Sequence, residues 1–304
     1  MGSISGIVMS SPTRAVSVAV LCLGIIAISF GSIFVRLCQA PALIIAAYRL
    51  LIASAILLPF QLSKSNLPNP IQTRKENFLY FLAGVFLAFH FASWVGSLRY
   101  TSVASSVVLV DTNPLFVALF SWWFLRERVS RRVIMGILLA VLGGILVARA
   151  DAGIGHDTLK GDGLALLGAM MMSGYMLVGR AIRARAQLVG YVFRVYATAA
   201  AVLTVLCLVT QSNWVHYSGS TFLFLALSAL VPQSIGHTSL NWALRYFSAP
   251  RVAVCTLFEP VGASLLALWI FKEIPTLDKM LGGVIILIGI FLSIGKAQPM
   301  VASS

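Results

Sequence analysis

Long apolar stretches separated by short polar ones run the length of the chain. They predict ten helices, roughly 16–36, 42–62, 77–98, 102–125, 133–149, 163–180, 188–210, 220–243, 251–271 and 279–295. Most approach the about 20 residues that an α-helix needs to cross a hydrocarbon core of about 30 Å. The breaks carry turn chemistry: Ser63 to Pro70 holds Ser, Asn and two Pro, Ala150 to Gly163 is rich in Asp and Gly, and Gln211 to Ser220 is polar and uncharged. The first run is long enough to span and Ala40-Pro41 is a poor cleavage junction, so the first helix is expected to stay.

Composition agrees with this layout. The chain is 59% apolar and 10% charged, whereas charged residues make up about a quarter of a soluble domain. The fold class is therefore an all-α polytopic membrane protein. The net charge of +13 does not point to nucleic acid, because the basic residues are scattered rather than gathered on one soluble face. Arg49, Asp111, Arg194 and Glu259 alone fall clearly inside the expected spans. Assigning alternate loops to opposite sides leaves Arg36, Arg99, Arg149, Lys160, Lys272 and Lys279 on one face and fourteen Lys and Arg on the other. The richer face is cytoplasmic by the positive-inside rule, with both termini on it, in a multi-pass protein of the plasma membrane, the bacterial inner membrane by this reading. Cys22, Cys38, Cys207 and Cys255 show neither CxxC nor Cys/His spacing and read as small buried hydrophobes, with no metal and no disulfide.

The chain is also a duplication. Shifted by 146 residues, Leu98-Arg99-Tyr100 falls on Leu244-Arg245-Tyr246, Pro114 on Pro260, Trp123 on Trp269, Glu127 on Glu273, Gly136 on Gly282 and Gly143 on Gly289. Nearby offsets pair Arg36 with Arg180 and Arg49 with Arg194. The repeats are expected at 16–149 and 163–295. Five helices per repeat is an odd number, so the second copy enters the membrane from the other side and the repeats are inverted, an architecture that recurs in secondary transporters.

Tyr48-Arg49-Leu50, Asn113-Pro114-Leu115, Leu125-Arg126-Glu127-Arg128 and the glycines from Gly136 to Gly143-Gly144 resemble the EamA repeat of the drug/metabolite transporter superfamily. The second half offers Phe193-Arg194, Glu259-Pro260-Val261-Gly262, Phe271-Lys272-Glu273 and Gly282 to Gly289 in the same order. The resemblance covers about Val16 to Gly295. It implies ten helices in a 5+5 inverted repeat and a central cavity lined mainly by helices 1, 3, 4, 6, 8 and 9. It also implies export of metabolites, amino acids or drugs, without naming a cargo.

Polar residues inside the spans are the candidates for function. Gln233, His237 and Asn241 recur at i, i+4 and i+8 in helix 8, a stripe that lipid would not tolerate; it either faces a cavity or ties helices together. Pro232 just before it can kink the helix and free a carbonyl toward the same space. His90 and Trp94 form the matching stripe in helix 3, where Trp94 could stack on a planar or cationic cargo. Glu259, deep in helix 9 before Pro260, is costly when ionised unless a cation is near, and is a candidate for proton coupling; it aligns with Asn113, so a simple acceptor beside a proline is the competing reading. Asp111 is the other coupling candidate. On a regular helix it lies about 200° from Asn113, so the two are not expected on one surface.

Several residues read as support. Arg49 and Arg194 are expected to snorkel or bind helix ends at the starts of helices 2 and 7. Glu127 and Glu273 are expected to pair with neighbouring Arg and Lys, and the glycines spaced by seven to let helices 5 and 10 pack closely. Ser29, Ser32, Ser173 and Tyr175 are wall candidates, with Met170 to Met172 as an adaptable apolar surface.

The expected function is a secondary carrier of a small molecule working by alternating access in membrane lipid, with proton or exchange coupling. No Walker-type loop is present, so ATP is not expected as the energy source, and no cofactor is implied. A nucleotide-sugar or phosphorylated-metabolite exchanger is the alternative within transport, but it needs a basic cavity, and Arg49 and Arg194 lie near helix starts in this reading. An intramembrane enzyme using His90, His237, Asp111 and Glu259 lacks any HExxH or GxSxG context. The sequence leaves the oligomeric state open, a homodimer included.

Overall fold

The structure, a computed structural model, describes residues 13–63, 73–125, 131–151, 158–183, 186–247, 249–272 and 274–293. Among these residues there is no strand, and the chain is a bundle of helices. In order they are α1 (Arg14–Ser29), α2 (Gly31–Leu37), α3 (Ala42–Ser63), α4 (Arg74–Ser97), α5 (Val103–Val110), α6 (Asn113–Leu125) and α7 (Arg131–Asp151), then α8 (Thr158–Arg183), α9 (Leu188–Val209), α10 (Gly219–Ser228) and α11 (Thr238–Tyr246), and last α12 (Ala249–Cys255), α13 (Glu259–Phe271) and α14 (Leu277–Ser293). A π-helical stretch, Ala229–His237, joins α10 to α11, and a 3₁₀ turn, Thr256–Phe258, joins α12 to α13. Glu127 and Glu273, whose ion pairing the sequence suggested, lie outside the described residues.

Among the described residues six helical stretches are long and apolar enough to cross a bilayer: Ala15–Leu37, Ala42–Ser63, Arg74–Ser97, Thr158–Arg183, Leu188–Val209 and Gly219–Tyr246. Shorter apolar helices run over Ser105–Phe120, Ile134–Gly143 and Thr256–Phe271. The starts of α1, α4, α5 and α10 carry side-chain caps. The Thr73 hydroxyl accepts from the Glu76 backbone N–H at 3.2 Å while the Glu76 carboxylate accepts from the Thr73 N–H at 3.0 Å, and Thr13, Ser102 and Ser218 cap α1, α5 and α10. Outward-facing side chains such as Leu23, Ile26, Phe60, Leu138, Val209 and Phe291 are large, apolar and exposed, the surface that lipid requires. The repeat mates Trp123 and Trp269 are both exposed near the ends of α6 and α13, where indoles suit the membrane–water boundary.

The packing carries the mark of the duplication. α3 packs on α9 and α7 on α14, each pairing equivalent helices of the two halves. α4 of the first half packs along α8, which opens the second; the contact is mirrored where α1 and α2 lie along α10, the π stretch and α11. The core therefore forms between the halves, with Phe91, Tyr175, Tyr191 and Tyr196 fully or almost fully buried in it.

The expected close approach of α7 and α14 is present. A Cβ placed on Gly143 would lie 2.6 Å from the Gly282 carbonyl oxygen and 2.6 Å from a side-chain carbon of Ile286, so backbone rests directly on backbone. Gly143→Ala is expected to lower stability by about 1–3 kcal/mol through overpacking. Gly163→Ala, where nothing lies within 4 Å, should be tolerated; thermal unfolding of the purified protein in detergent measures both.

Candidate functional site

Arg49, His90 and Trp94 reach the centre from the continuous helices α3 and α4, while Asp111, Asn113 and Glu259 reach it where their helices are broken. α5 stops at Val110, Asp111 and Thr112 form a turn, and α6 restarts at Asn113, with Pro114 in its first turn. The second repeat does the same 146 residues later: α12 ends at Cys255, the 3₁₀ turn follows, and α13 restarts at Glu259 with Pro260 in its first turn. A proline without an N–H is at home in a first turn, where that donor would lack a partner anyway. The restart therefore comes at the same place in both copies. The turn also carries Asp111 to the same side as Asn113, correcting the expectation drawn from a continuous helix that the two face different surfaces.

Between the halves lies a cavity of about 30 Å³, lined by Arg49, His90, Trp94, Asp111, Asn113, Thr256, Glu259 and His237, with Ile28, Val110, Met172 and Leu240 as its apolar wall. That volume holds about two water molecules and no metabolite. Among the described residues, no group of three or more His, Cys, Asp or Glu could hold a metal ion.

Arg49, too, lies elsewhere than sequence reasoning placed it. It is not at the start of its helix but seven residues beyond Ala42, about 10 Å into the bundle, and its side chain is buried. Its Nε donates to Gln233 Oε1 at 2.9 Å, and its guanidinium carbon lies 4.3 Å from the centre of the Phe91 ring and 5.7 Å from that of Trp94. Gly31, at the start of α2, keeps room for this stack, since a Cβ there would come within 3.2 Å of Trp94 and 3.6 Å of Arg49 Nη1. The usable signal was its place well inside a 22-residue apolar helix. Its repeat mate Arg194 lies over the Tyr80 ring at 5.0 Å instead and does not line the cavity.

The predicted residues divide between wall and support. His90, Trp94, Asn113, His237, Asp111 and Glu259 line the cavity. The His90 and Trp94 rings are parallel at 6.1 Å, and the His90 and His237 rings are 6.3 Å apart, so the two stripes meet across the halves. His90 Nδ1 sits 3.0 Å from the Gly168 carbonyl oxygen. Gln233, Tyr175 and Asn241 do not reach this wall. Gln233 holds Arg49, while Asn241 Nδ2 donates to the Tyr175 hydroxyl and to the His237 carbonyl at 2.8 Å. Ser173 Oγ stands 2.9 Å from the Asn113 carbonyl oxygen and braces the helix break. The kink expected at Pro232 takes the form of the π stretch. Carbonyls there meet hydroxyls instead of the cavity: Ser234 Oγ donates to the Ala229 carbonyl at 2.8 Å, and Tyr196 donates to that of Gln233 at 3.4 Å.

Five buried polar atoms of the wall have no hydrogen-bond partner among the described residues: Arg49 Nη1, Trp94 Nε1, Asp111 Oδ2, Asn113 Oδ1 and His237 Nδ1. Native interiors leave few such atoms unmatched, and a group of them around one cavity gives it the donors and acceptors to hold a polar ligand.

The chain is similar to known transporters over most of its length. The sequence profile of the EamA-like transporter family matches residues 15–149 and again 159–295. An uncharacterized transporter of Clostridium kluyveri is 26% identical, and the match spans 64% of either chain, a little under two thirds of that relative. The pseudopaline exporter CntI of Pseudomonas aeruginosa is 28% identical over 67% of this chain and 70% of its own. A crystal structure that covers 93% of this chain, and 97% of its own, superposes with a TM-score of 0.66 at 18% identity, a likeness of fold alone.

Gln233→Leu should leave the buried Arg49 Nε without its acceptor and cost about 1–3 kcal/mol. Thermal unfolding in detergent reads this loss, and an unchanged unfolding temperature would show that Gln233 does not hold Arg49.

Proposed function

The chain belongs to the EamA-like transporter family, and from that premise we propose that it is a secondary carrier that moves a small polar metabolite, amino acid or drug across a cell membrane by alternating access. One observation carries the reading. A cavity holding an arginine, two carboxylates and several unmatched polar atoms lies between the two repeats. Buried ionisable groups in a membrane protein mark a substrate or ion path far more often than they stabilise a fold.

The helices count as ten spans when each broken pair is taken as one, five per repeat and inverted between repeats, with residues 16–149 and 163–295 as the two units and both termini cytoplasmic. Export is supported by the name of one relative, the pseudopaline exporter. A space of about 30 Å³ suits the closed stage of such a cycle, in which the halves have come together and must part to admit cargo. Asp111 and Glu259 are the groups through which a proton or an exchanged solute would supply the energy. One arginine facing two carboxylates suits phosphate-bearing cargo poorly, which argues against the nucleotide-sugar alternative.

Gradient-driven efflux of a metabolite and drug panel from cells, and its uptake by proteoliposomes of the full chain, tests the carrier. Glu259→Gln is expected to lower proton-driven flux by about tenfold or more and to flatten its dependence on pH. Equal flux in wild type and Glu259→Gln across a pH series would remove Glu259 from coupling. Equal permeability of empty and protein-containing liposomes to every candidate would sink the carrier itself.

A further inference from the structure

The cavity's charges can be counted, and the count says more than that it is polar. Arg49 contributes one positive charge; Asp111 and Glu259 contribute two negative charges when both are ionised. Among the described residues no ion pair within 4 Å joins Arg49 to either acid, so the three groups surround a shared space instead of closing on one another. His90 and His237 face the same space, but a second or third cation beside a buried guanidinium is costly, and both count as neutral.

The neighbouring elements add no further charge at the wall. α1 and α8 contribute Ile28 and Met172, and the 3₁₀ turn contributes Thr256. On α9, Tyr196 has its hydroxyl on Gln233 and Thr238, while Arg194 lies over Tyr80. At the end of α8, Arg183 donates to the Asn241 carbonyl at 3.0 Å. On α14, Lys279 borders, with Asp111, a second cavity of about 340 Å³, but its Nζ reaches Ser102 Oγ at 2.9 Å, at the far end of α5 from Asp111 and so about 12 Å away along that helix; on α2, which packs on α5 and α13, Arg36 donates to the Thr101 carbonyl at 2.9 Å beside that same end. Lys160 stands 3.1 Å from the Tyr100 hydroxyl at the same far end, where the start of α8, with Asp162, packs on Tyr100 and Thr101.

The wall therefore has one negative charge in excess, which burial does not permit without a compensating positive one. The unmatched atoms say what kind of group supplies it. Arg49 Nη1 and Trp94 Nε1 are donors and lie together in the stack on α3 and α4; Asp111 Oδ2 and Asn113 Oδ1 are acceptors and lie together at the break between α5 and α6. A ligand that satisfies both sides has N–H donors at its positive end and an acceptor elsewhere. A quaternary ammonium, with no N–H, leaves the carboxylate and the amide unanswered.

Building on the carrier reading above, we propose that this site alternates between one proton, held by the Asp111–Glu259 pair, and one organic ammonium ion of net charge +1, whose N–H groups go to Asp111 and Asn113 while its acceptor takes Arg49 and Trp94. No covalent bond changes in the exchange. The carboxyl O–H gives its proton to the water on the side from which the ammonium arrives, and the ammonium takes over as the compensating charge. On the other side the ammonium leaves and a proton returns. One positive charge moves each way, so the exchange is electroneutral.

The test uses proteoliposomes of the full chain, with internal pH and membrane potential set independently and a matched probe series: phenylalaninol, its N,N,N-trimethyl derivative, phenylalanine and phenyllactate. Phenylalaninol should move against one proton at a rate unchanged by a potential of about 100 mV, a driving force that would alter any net movement of charge. The trimethyl derivative should be slower by about tenfold or more, the loss expected for hydrogen bonds to a charged partner. Preference for phenylalanine or phenyllactate, a potential-dependent rate, or equal transport of the trimethyl derivative overturns the proposal while leaving the carrier intact. Failure of every probe and of the wider panel defeats the carrier reading itself.

A second measurement needs no cargo. At neutral pH the ligand-free protein should show the infrared band of one protonated carboxyl. Either Asp111→Asn or Glu259→Gln should remove it, because the remaining acid then balances Arg49, whereas Asp278→Asn, at the exposed start of α14, should not. Absence of the band in wild type refutes the charge count whatever the transported solute proves to be.

Discussion

A guanidinium taken out of water has to be answered from every side, and the centre of this molecule is arranged around that requirement at Arg49. One donor goes to Gln233, one face of the ion lies on Phe91 and Trp94, and two carboxylates share its cavity. These partners come from α4, the π stretch, α13 and the turn between α5 and α6, elements of both repeats. Burying one charge thus ties together segments that are far apart in sequence, Arg49 and Gln233 being 184 residues apart. A methylene core of the same volume would make no such demand on partner or geometry.

The second constraint is the proline in the first turn of α6 and of α13. Asn113-Pro114 and Glu259-Pro260 restart helices at matching depths, so each repeat delivers a polar residue to the same central space. Duplication supplied the frame, and divergence supplied the chemistry. Asn113 faces Glu259 across the repeat, and Arg49 is central where Arg194 packs on Tyr80. The frame is close to symmetric, but the charges inside it are not.

Much of this was legible in the sequence. Apolar runs located the helices, the offset of 146 residues exposed the repeat, and the glycine spacing announced the contact of α7 with α14. The rest depended on departures from regular helices. Angles around a continuous helix separated Asp111 from Asn113, and the turn at Asp111-Thr112 brings them together. The stripe Gln233, His237, Asn241 looked like one surface; in a π stretch followed by α11 it divides, with one residue on Arg49, one on the cavity and one on Tyr175. Arg49 was misplaced because snorkelling is the ordinary fate of an arginine in a membrane helix. Its partner Gln233 is a long-range neighbour that no local pattern reveals.

The seam between α7 and α14 bears on how such a bundle can move. Where the Gly143 backbone rests on that of Gly282 there is no side chain to bend and no gap to close. Separation there would expose backbone and apolar surface without any compensating contact, while sliding would drive Ile286 into the backbone of α7. The two fifth helices, one from each half, therefore form a keel. In the carrier cycle proposed above, this seam is the part of the bundle that stays closed.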